Sequence, residues 1–445
     1  MTSPMIHPMI RPPASVDVHS GPLLLSGIDR GPGLAAHRAR LGALPEPGIQ
    51  SLVTLLGDVG VRGRGGAGFP LSRKLQTVMR ARSSRATLGG RRPYVVVNAA
   101  EGEPASAKDS ALLDVAPHLV LDGAVVAARA LGAREIHVVS SEDRPWVGAA
   151  VHRATNERDE HGIRWVQHEA ASRFVSGQSR ALIELMAGRP GLPVTSWAPE
   201  AVDGHRRRPT LLSNAESFAH LAAVVLWGLD GYAAHGSPEE PGTSLLTLTT
   251  PPASDGVFRG VHVVEVEHGD GAATVLDAQA LGSPLLVGGF HGSWVHPRDV
   301  PALEWSNAVL GEVGARLGAG ALLSLSDGSC AVSETARYTS YLAGESAGRC
   351  GPCRNGLPAM ATEMEGLAFG ADTRRRLREL AGLVTGRGAC AHPDGTARLV
   401  GSLLTTLDDH VEAHLDGACA CSGSGRAPRG ERPAHTGTQH LAVQR

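Results

Sequence analysis

A chain of 445 residues and 46.2 kDa is too long for one ordinary domain, so several domains are expected and a small peptide-binding module is excluded as a complete account. Its 42 basic and 44 acidic residues nearly cancel, to a formal charge of -2, and no electrostatic case for a nucleic-acid partner or an anionic membrane can be built on that. Hydrophobic residues at 42% suffice to close cores, and with aromatics at only 4% those cores must be made of Ala, Leu and Val.

Met1 to Ser20 has prolines, histidines and one Arg but no continuous apolar stretch, and runs such as Ala124 to Ala130 fall far below the roughly 20 residues of a spanning helix. A soluble cytoplasmic protein without direct membrane insertion is the expectation. From Gly21 to Pro47 the chain reads as extended with turns, then as a helix from Ile49 to Val59. The glycine loop GVRGRGGAGFPLSRK runs from Gly60 to Lys74 and leads into a helical stretch ending near Arg80. A short buried strand, Tyr94 to Val97, breaks at Asn98; helical spacing over Pro117 to Ala130 and a strand at Glu135 to Val139 complete a crossover of α/β type. Between Gly242 and Val300 short β-branched runs alternate with Gly and Pro, and from Ser333 to Leu415 four segments of helical period indicate a bundle. The chain after Cys421 is poor in apolar residues and reads as a disordered tail.

Three polar patches carry chemistry. Gly63, Gly65, Gly66 and Gly68, interleaved with Arg64 and Ala67, let main-chain N–H groups turn toward a phosphate, although a flexible surface loop would also explain the glycines. Phe69 just after them is either core or a cover for a ring system. The segment NAAEGEPASAKD puts Asn98, Glu101, Glu103, Lys108 and Asp109 at a strand exit, where an amide and carboxylates can meet a heteroaromatic ring and sugar hydroxyls, or simply form a solvated turn. PTLLSNAESF places Ser213, Asn214 and Glu216 at a helix start, where capping is the plain alternative. Only two lysines stand against 40 arginines, and both, Lys74 and Lys108, fall in these motifs.

These motifs together resemble the flavin-bearing subunit family of respiratory NADH dehydrogenase (complex I), with relatives in NAD-linked hydrogenases and formate dehydrogenases. RGRGGAGFP is intact as Arg62 to Pro70, followed by Lys74; the family's NADExEPGxxKD appears as Asn98 to Asp109, and its PTTINNxET as PTLLSNAES from Pro209. The resemblance implies an α/β fold in three parts: an FMN- and NADH-binding domain over 45–236, a ubiquitin-like β-grasp domain over 237–300, and a helical iron-sulfur domain, a four-helix bundle, over 333–421. An N-terminal extension (1–44), a connector (301–332) and the tail (422–445) complete the division. It also implies FMN in the loop Gly63, Arg64, Gly65, Gly66, Ala67, Gly68 near Lys74. Asn98, Glu101, Ser213 and Asn214 would border the flavin, Glu103 the nicotinamide, and Phe69 would stack on adenine. Glu101 and Glu103 are the candidate catalytic pair, in a hydride transfer from NAD(H) to flavin that needs no protein acid or base.

The sequence also departs from the family. ESCGxCxPCR reads ESAGRCGPCR, so the first cysteine is Ala347 and the candidate ligands of a [4Fe-4S] cluster are Cys350, Cys353 and the distant Cys390. Completion by a non-cysteine ligand, by Cys419 or by Cys421 remains open, as do a redox dithiol, half a zinc site or no cluster; His392 is a conceivable substitute but reads as a surface histidine, and Cys330 as buried or incidental. GAGAYxCGEETA reads AASRFVSGQSRA, replacing the acidic pair that excludes a 2′-phosphate with Gln178 and Ser179, beside Arg180. The reading is an NADH-oxidising flavoprotein, accepting NADH or NADPH, that passes electrons to a thioredoxin-fold [2Fe-2S] subunit or other redox partner. The alternative is a diverged scaffold that keeps the fold, and FMN at most.

Overall fold

The computed structural model describes residues 10–83, 92–326 and 328–419; the tail expected to be disordered and Cys421 lie outside them. The described chain opens on a two-residue strand, β1 (Asp17–Val18), and a helix, α1 (Leu34–Leu41), inside the segment expected to be extended. Helices α2 (Ile49–Asp58) and α3 (Leu71–Ser83) bracket the glycine loop. There follow β2 (Tyr94–Ala99), α4 (Lys108–Val115), α5 (Pro117–Leu131), β3 (Glu135–Ser141), α6 (Pro145–Asn156), β4 (Arg164–Ala170), α7 (Ser179–Met186), β5 (Thr210–Asn214) and α8 (Ala215–Ala233). The four strands make a wholly parallel sheet in the order β4-β3-β2-β5. The apolar run Tyr94 to Val97 is what a parallel strand covered on both faces requires.

Helix α5 is buried along its whole length except Arg129 and Ala130, and it packs on α8. At the crossing is Gly123, where a Cβ would fall 1.8 Å from the Phe218 carbonyl oxygen, so the two helices touch backbone to backbone and no side chain is tolerated. Among the described residues no single helix is long and apolar enough to cross a membrane.

The second sheet is mixed. Strands β6 (Thr243–Thr249), β7 (His262–Glu267), β8 (Leu285–Val287), β9 (Ser293–Val295) and β10 (Ala321–Ser324) join β1 in the order β1-β7-β6-β10-β8-β9, with the short helices α9 (Ala278–Leu281) and α10 (Asn307–Glu312) in its loops. Two of these strands come from outside the β-rich stretch seen in the sequence. β10 lies central in the sheet, parallel to β6 and antiparallel to β8, and its four residues are too few to show a period. β1 pairs parallel with β7 through Asp17 and Val18, and the segment after it is held by Glu265 of β7, a buried carboxylate that accepts the amides of Leu23, Leu24 and Leu25 and the Thr243 hydroxyl.

The helical region contains α11 (Ala331–Gly344), α12 (Leu357–Ala368), α13 (Arg374–Val384), α14 (His392–Thr406) and α15 (Asp408–Leu415). The last of the four expected helical segments is thus two helices, broken where Leu407 leaves helical geometry at φ -118° and ψ 38°. One apolar core runs from α2 and α5 through Phe290 and Trp294 into Leu403 and Val411.

Helix α1 has a weak apolar face and is anchored by charge instead. Asp122 of α5, fully buried, accepts from both guanidinium nitrogens of Arg38 (2.6 and 2.8 Å), from Arg158 (2.6 Å) and from His37 Nε2 (2.8 Å). Burial alone would raise the Asp122 carboxyl, but His37, Arg38 and Arg158 hold it well below the usual carboxylate range. Its contribution to stability is therefore present above its unfolded pKa of roughly 3.9 and is lost as pH falls below that. Asp122→Ala removes the carboxylate shared by His37, Arg38 and Arg158, leaves Arg158 with Glu160 as its remaining acid, and is expected to cost about 2 to 4 kcal/mol in urea unfolding at pH 7. A loss under about 1 kcal/mol would show that the cluster does not anchor α1.

Candidate functional site

The glycine loop folds back on itself: Gly63 N–H donates to the Phe69 carbonyl and Leu71 N–H to the Val61 carbonyl, both at 2.9 Å. The Arg64 amide donates to Ser217 Oγ (2.8 Å), and a Cβ on Gly65 would lie 3.8 Å from the Asn214 side chain, so the loop rests on the start of α8. Gly66 has φ +91°, a conformation that side chains rarely adopt. Among the described residues no group accepts a hydrogen bond from the amides of Gly65, Gly66 or Ala67. The loop rims a cavity of about 350 Å³, whose other walls are Lys108, Glu216, Ser244, Leu245 and the Arg316 to Gly320 segment.

The floor of this cavity is a buried charge network. Lys108 Nζ lies 2.7 Å from Glu216 Oε2 and 3.0 Å from Asp109 Oδ2. Asp109 accepts from Asn214 Nδ2 and the Glu216 amide, and Glu216 Oε1 accepts the Leu245 amide of β6. Burial would discharge Lys108, but Asp109 and Glu216 hold its amine well above the ordinary range. Burial acts against Glu216 too, and Lys108 holds that carboxyl well below its own range. Arg64 donates to the Thr243 carbonyl (2.8 Å) and approaches His268 Nε2 (3.2 Å), leaving its buried Nε without a partner among the described residues. Unengaged amides, Arg62, Arg64, Lys108 and Arg316 around one cavity are donor chemistry suited to a phosphate, and the residues present fit FMN.

The other expected ligands are distributed less simply. Asn214 caps α8, its Oδ1 accepting from Ser217, while it also holds Asp109; the capping and site readings coincide in one side chain. Ser213 is buried at the end of β5. Lys74 donates to the Leu212 carbonyl at 2.7 Å, and burial lowers its amine. Asn98 spans the loops, donating to the Gly177 carbonyl and accepting the Ala100 amide. Glu101 is enclosed by its own segment: it accepts from the Ser106 and Ser110 hydroxyls and from two amides, and pairs with the buried Arg144. Glu103 accepts the Ala105 and Phe290 amides, and burial pushes its carboxyl up to about 8. Phe69 is 48% exposed at the mouth of the loop. Gly65, Phe69, Lys74, Asn98, Glu101, Glu103, Ser213 and Asn214 do not line the cavity; Gly63, Arg64, Gly66, Ala67 and Gly68 do. The sequence reading missed Arg144, Ser244 and Arg316, which belong to no motif, and gave no role to Lys108, whose signal was its escape from the arginine bias.

On the expected dinucleotide side, Gln178 precedes α7, and Arg180 donates to the Asp203 (2.9 Å) and Ala198 carbonyls, tethering that loop instead of pointing to solvent. In the helical region Cys350 and Cys353 share a hydrogen bond. Burial drives the Cys353 thiol up to about 12, while the Ala389 and Cys353 amides pull Cys350 down against burial; the Cys390 sulfur is close enough to raise Cys353 further. These three thiols suit three corners of a [4Fe-4S] cluster, and Ala347 offers no donor for the fourth. His392 is fully buried, not on the surface, and both ring nitrogens are engaged, by the Leu342 carbonyl and by His291. Nor is Cys419 spare: it faces His410 Nε2 at 3.8 Å, beside Cys330.

Residues 56–223 match the Nuo51 FMN-binding domain, and residues 333–414 match the NADH-ubiquinone oxidoreductase-F iron-sulfur binding region. The F subunit of the NADH-quinone oxidoreductase of Mycobacterium tuberculosis is 28% identical over 392 residues, covering 82% of this chain and 85% of the relative. The HndC subunit of the NADP-reducing hydrogenase of Solidesulfovibrio fructosivorans is 26% identical, over 82% of this chain and 76% of its own. Among solved structures, the NAD+-reducing [NiFe]-hydrogenase in its H2-reduced state shares the fold with a TM-score of 0.76 at 24% identity, over 90% of this chain and 68% of that one. With both domain matches on one chain and the glycine loop, strand-exit motif and helix start assembled around one cavity, this chain belongs to the flavin-bearing subunit family of NADH:quinone oxidoreductase and related NAD-linked hydrogenases.

Proposed function

We propose that the chain is an NADH-oxidising FMN flavoprotein subunit of a redox complex, delivering electrons through an iron-sulfur cluster to a partner. The single observation that carries this reading is the glycine loop, its amides unengaged among the described residues and its cavity flanked by Arg62, Arg64 and Arg316, in a chain that also bears the family's iron-sulfur region. When bound, FMN supplies the redox chemistry, accepting a hydride from the nicotinamide and passing electrons on singly. The Gly65, Gly66 and Ala67 amides and Arg64 would hold its phosphate. Asn214, fixed by Asp109 and Ser217, seats the glycine loop on the start of α8, while Ser213 and Asn98 act from behind the cavity, Ser213 within β5 and Asn98 by holding the Gly177 loop. Glu101 acts by holding the Asn98 to Ser110 segment in shape through Arg144, and Glu103, kept neutral at pH 7, places no charge beside the nicotinamide. Lys74 supports the end of β5, and the exposure of Phe69 at the loop mouth supports its reading as a cover for the adenine. Cys350, Cys353 and Cys390 hold the cluster.

The partner proposed is a thioredoxin-fold [2Fe-2S] or comparable redox subunit, and the location cytoplasmic. Ala347, Gln178 and Ser179 favour one other reading, a scaffold that binds FMN without turnover. NADH oxidation with ferricyanide as acceptor separates the two: flavin-loaded protein with no activity is the scaffold.

Gly66→Val forces a branched side chain into a backbone conformation it rarely adopts, and should weaken FMN binding about ten-fold or more. The flavin-to-protein ratio after desalting reads this, and equal ratios in wild type and variant would remove the loop from the site.

The loss of acidic groups at Gln178 and Ser179 should leave poor discrimination between NADH and NADPH. Restoring Gln178→Glu with Ser179→Glu should raise preference for NADH by roughly 5 to 150-fold in kcat/KM, the equivalent of about 1 to 3 kcal/mol. Arg180 is occupied by two carbonyls, so Arg180→Ala should disturb the loop for both dinucleotides alike. A strong NADH preference that the double variant leaves unchanged would place selectivity elsewhere.

A further inference from the structure

Four side chains that belong to no part of the flavin site converge at one corner of the helical region. Cys330 precedes α11; His410 and His414 stand one turn apart on α15; Cys419 follows four residues after that helix ends. Cys330 Sγ lies 3.5 Å from His410 Nε2 and 3.4 Å from His414 Nδ1, and Cys419 Sγ lies 3.8 Å from His410 Nε2. The ligand atoms of Cys330, His410 and Cys419 are all within 4.8 Å of one another, the only such trio of His, Cys, Asp or Glu among the described residues. Both cysteines are buried thiols, and their sulfurs are near neighbours.

We propose that Cys330, His410, His414 and Cys419 form a structural zinc site. Bonds of about 2.3 Å to sulfur and about 2.0 to 2.1 Å to nitrogen in a tetrahedron require sulfur-to-nitrogen edges of about 3.6 Å. The three observed edges lie on either side of that value. Ordinary packing of thiols against imidazoles does not bring two sulfurs and a ring nitrogen so close together, and His414 Nδ1, 3.4 Å from Cys330 Sγ but outside that trio, has only to turn inward to complete the tetrahedron. The surroundings match a metal-bound imidazole as well: His414 Nε2 hydrogen-bonds the Ala368 carbonyl at 3.1 Å, which turns Nδ1 toward the Cys330 sulfur as the ligand atom. The chain after α15 is turned back by paired bonds, Gly417 N–H to the His414 carbonyl (3.1 Å) and Ala418 N–H to the Ala413 carbonyl (2.8 Å), and this turn delivers Cys419 to His410. The spacing His410-x3-His414 with two distant cysteines is that of a closed Cys2His2 site, whose four protein ligands leave no position for a substrate.

The site is separate from the cluster ligands. Cys330 and Cys419 both lie outside the matched iron-sulfur region, residues 333–414, while Cys350, Cys353 and Cys390 lie within it. Zinc here would tie the start of α11 to the end of α15, and so close the region that carries those three thiols.

The test is metal analysis of the full-length protein purified anaerobically without added metal. Stoichiometric zinc is expected, lost in Cys330→Ser and Cys419→Ser but kept in Cys350→Ser, with iron and labile sulfide showing the reverse pattern. Chelation should lower the thermal midpoint of wild type and leave that of Cys330→Ser unmoved. Background zinc in folded wild type, or zinc that follows Cys350 instead of Cys330, overturns the proposal. If the serine variants do not fold, Co2+ titration of chelated wild type decides: the intense visible bands of a tetrahedral dithiolate site support it, and an octahedral spectrum or none overturns it. Because the zinc and cobalt readouts involve neither flavin, nicotinamide nor Cys350, Cys353 and Cys390, their failure leaves the electron-transfer reading untouched, whereas absence of iron bears on that reading alone.

Discussion

The structure around the cavity depends on one buried cation. Lys108 opens α4 and faces carboxylates from its own helix and from α8, while Glu216 also takes an amide from β6 of the other sheet. The parallel-sheet side and the mixed sheet therefore meet through this ammonium group and its two partners, beside the bonds of Arg64 to Thr243, Ala107 to Thr247 and Phe290 to Glu103. A pair of charges so deeply buried gains little net stability over an apolar contact, but removing one member leaves the other uncompensated. The arrangement consequently specifies position more than it adds stability: it fixes where α8 begins, hence where Asn214 and Ser217 stand, and hence how the glycine loop is seated.

Much of this was legible because the information is local. A run such as Tyr94 to Val97 declares a buried strand, RGRGGAGFP a tight glycine loop, and the helical periods from Ser333 onward a bundle. What could not be read depends on distant pairs. No periodicity shows that four residues, Ala321 to Ser324, occupy the centre of a sheet, or that α1 is pinned by a carboxylate some 84 positions away. Glu101 and Lys74 show the same limit from the other side. Their motifs draw attention to them as ligands, yet the fold spends their polar atoms on Arg144, Ser106, Ser110 and the Leu212 carbonyl.

The cysteines divide along similar lines. Cys350, Cys353 and Cys390 are visible in the sequence because their neighbours Pro352, Arg354 and Gly388 form recognisable strings. Cys330 and Cys419 have no such strings, and the helical spacing of His410 and His414 is a faint signal among 20 histidines. Only the chain reversal after α15 brings the four together. Loss of a thiol at Ala347 and its presence at Cys330 are thus independent facts about two corners of one helical region.

Glu265 gives the leading segment of the chain a status that its sequence conceals. The three consecutive amides of Leu23, Leu24 and Leu25 converge on that carboxylate, and all three leucine side chains are fully buried. The segment behaves as a clasp threaded into the mixed sheet, not as an appendage. A shortened form beginning at α2 would expose the flank of β7 and leave a buried ionisable group with the Thr243 hydroxyl in place of four donors. Trimming from this end would thus act on the fold itself, far from any cofactor.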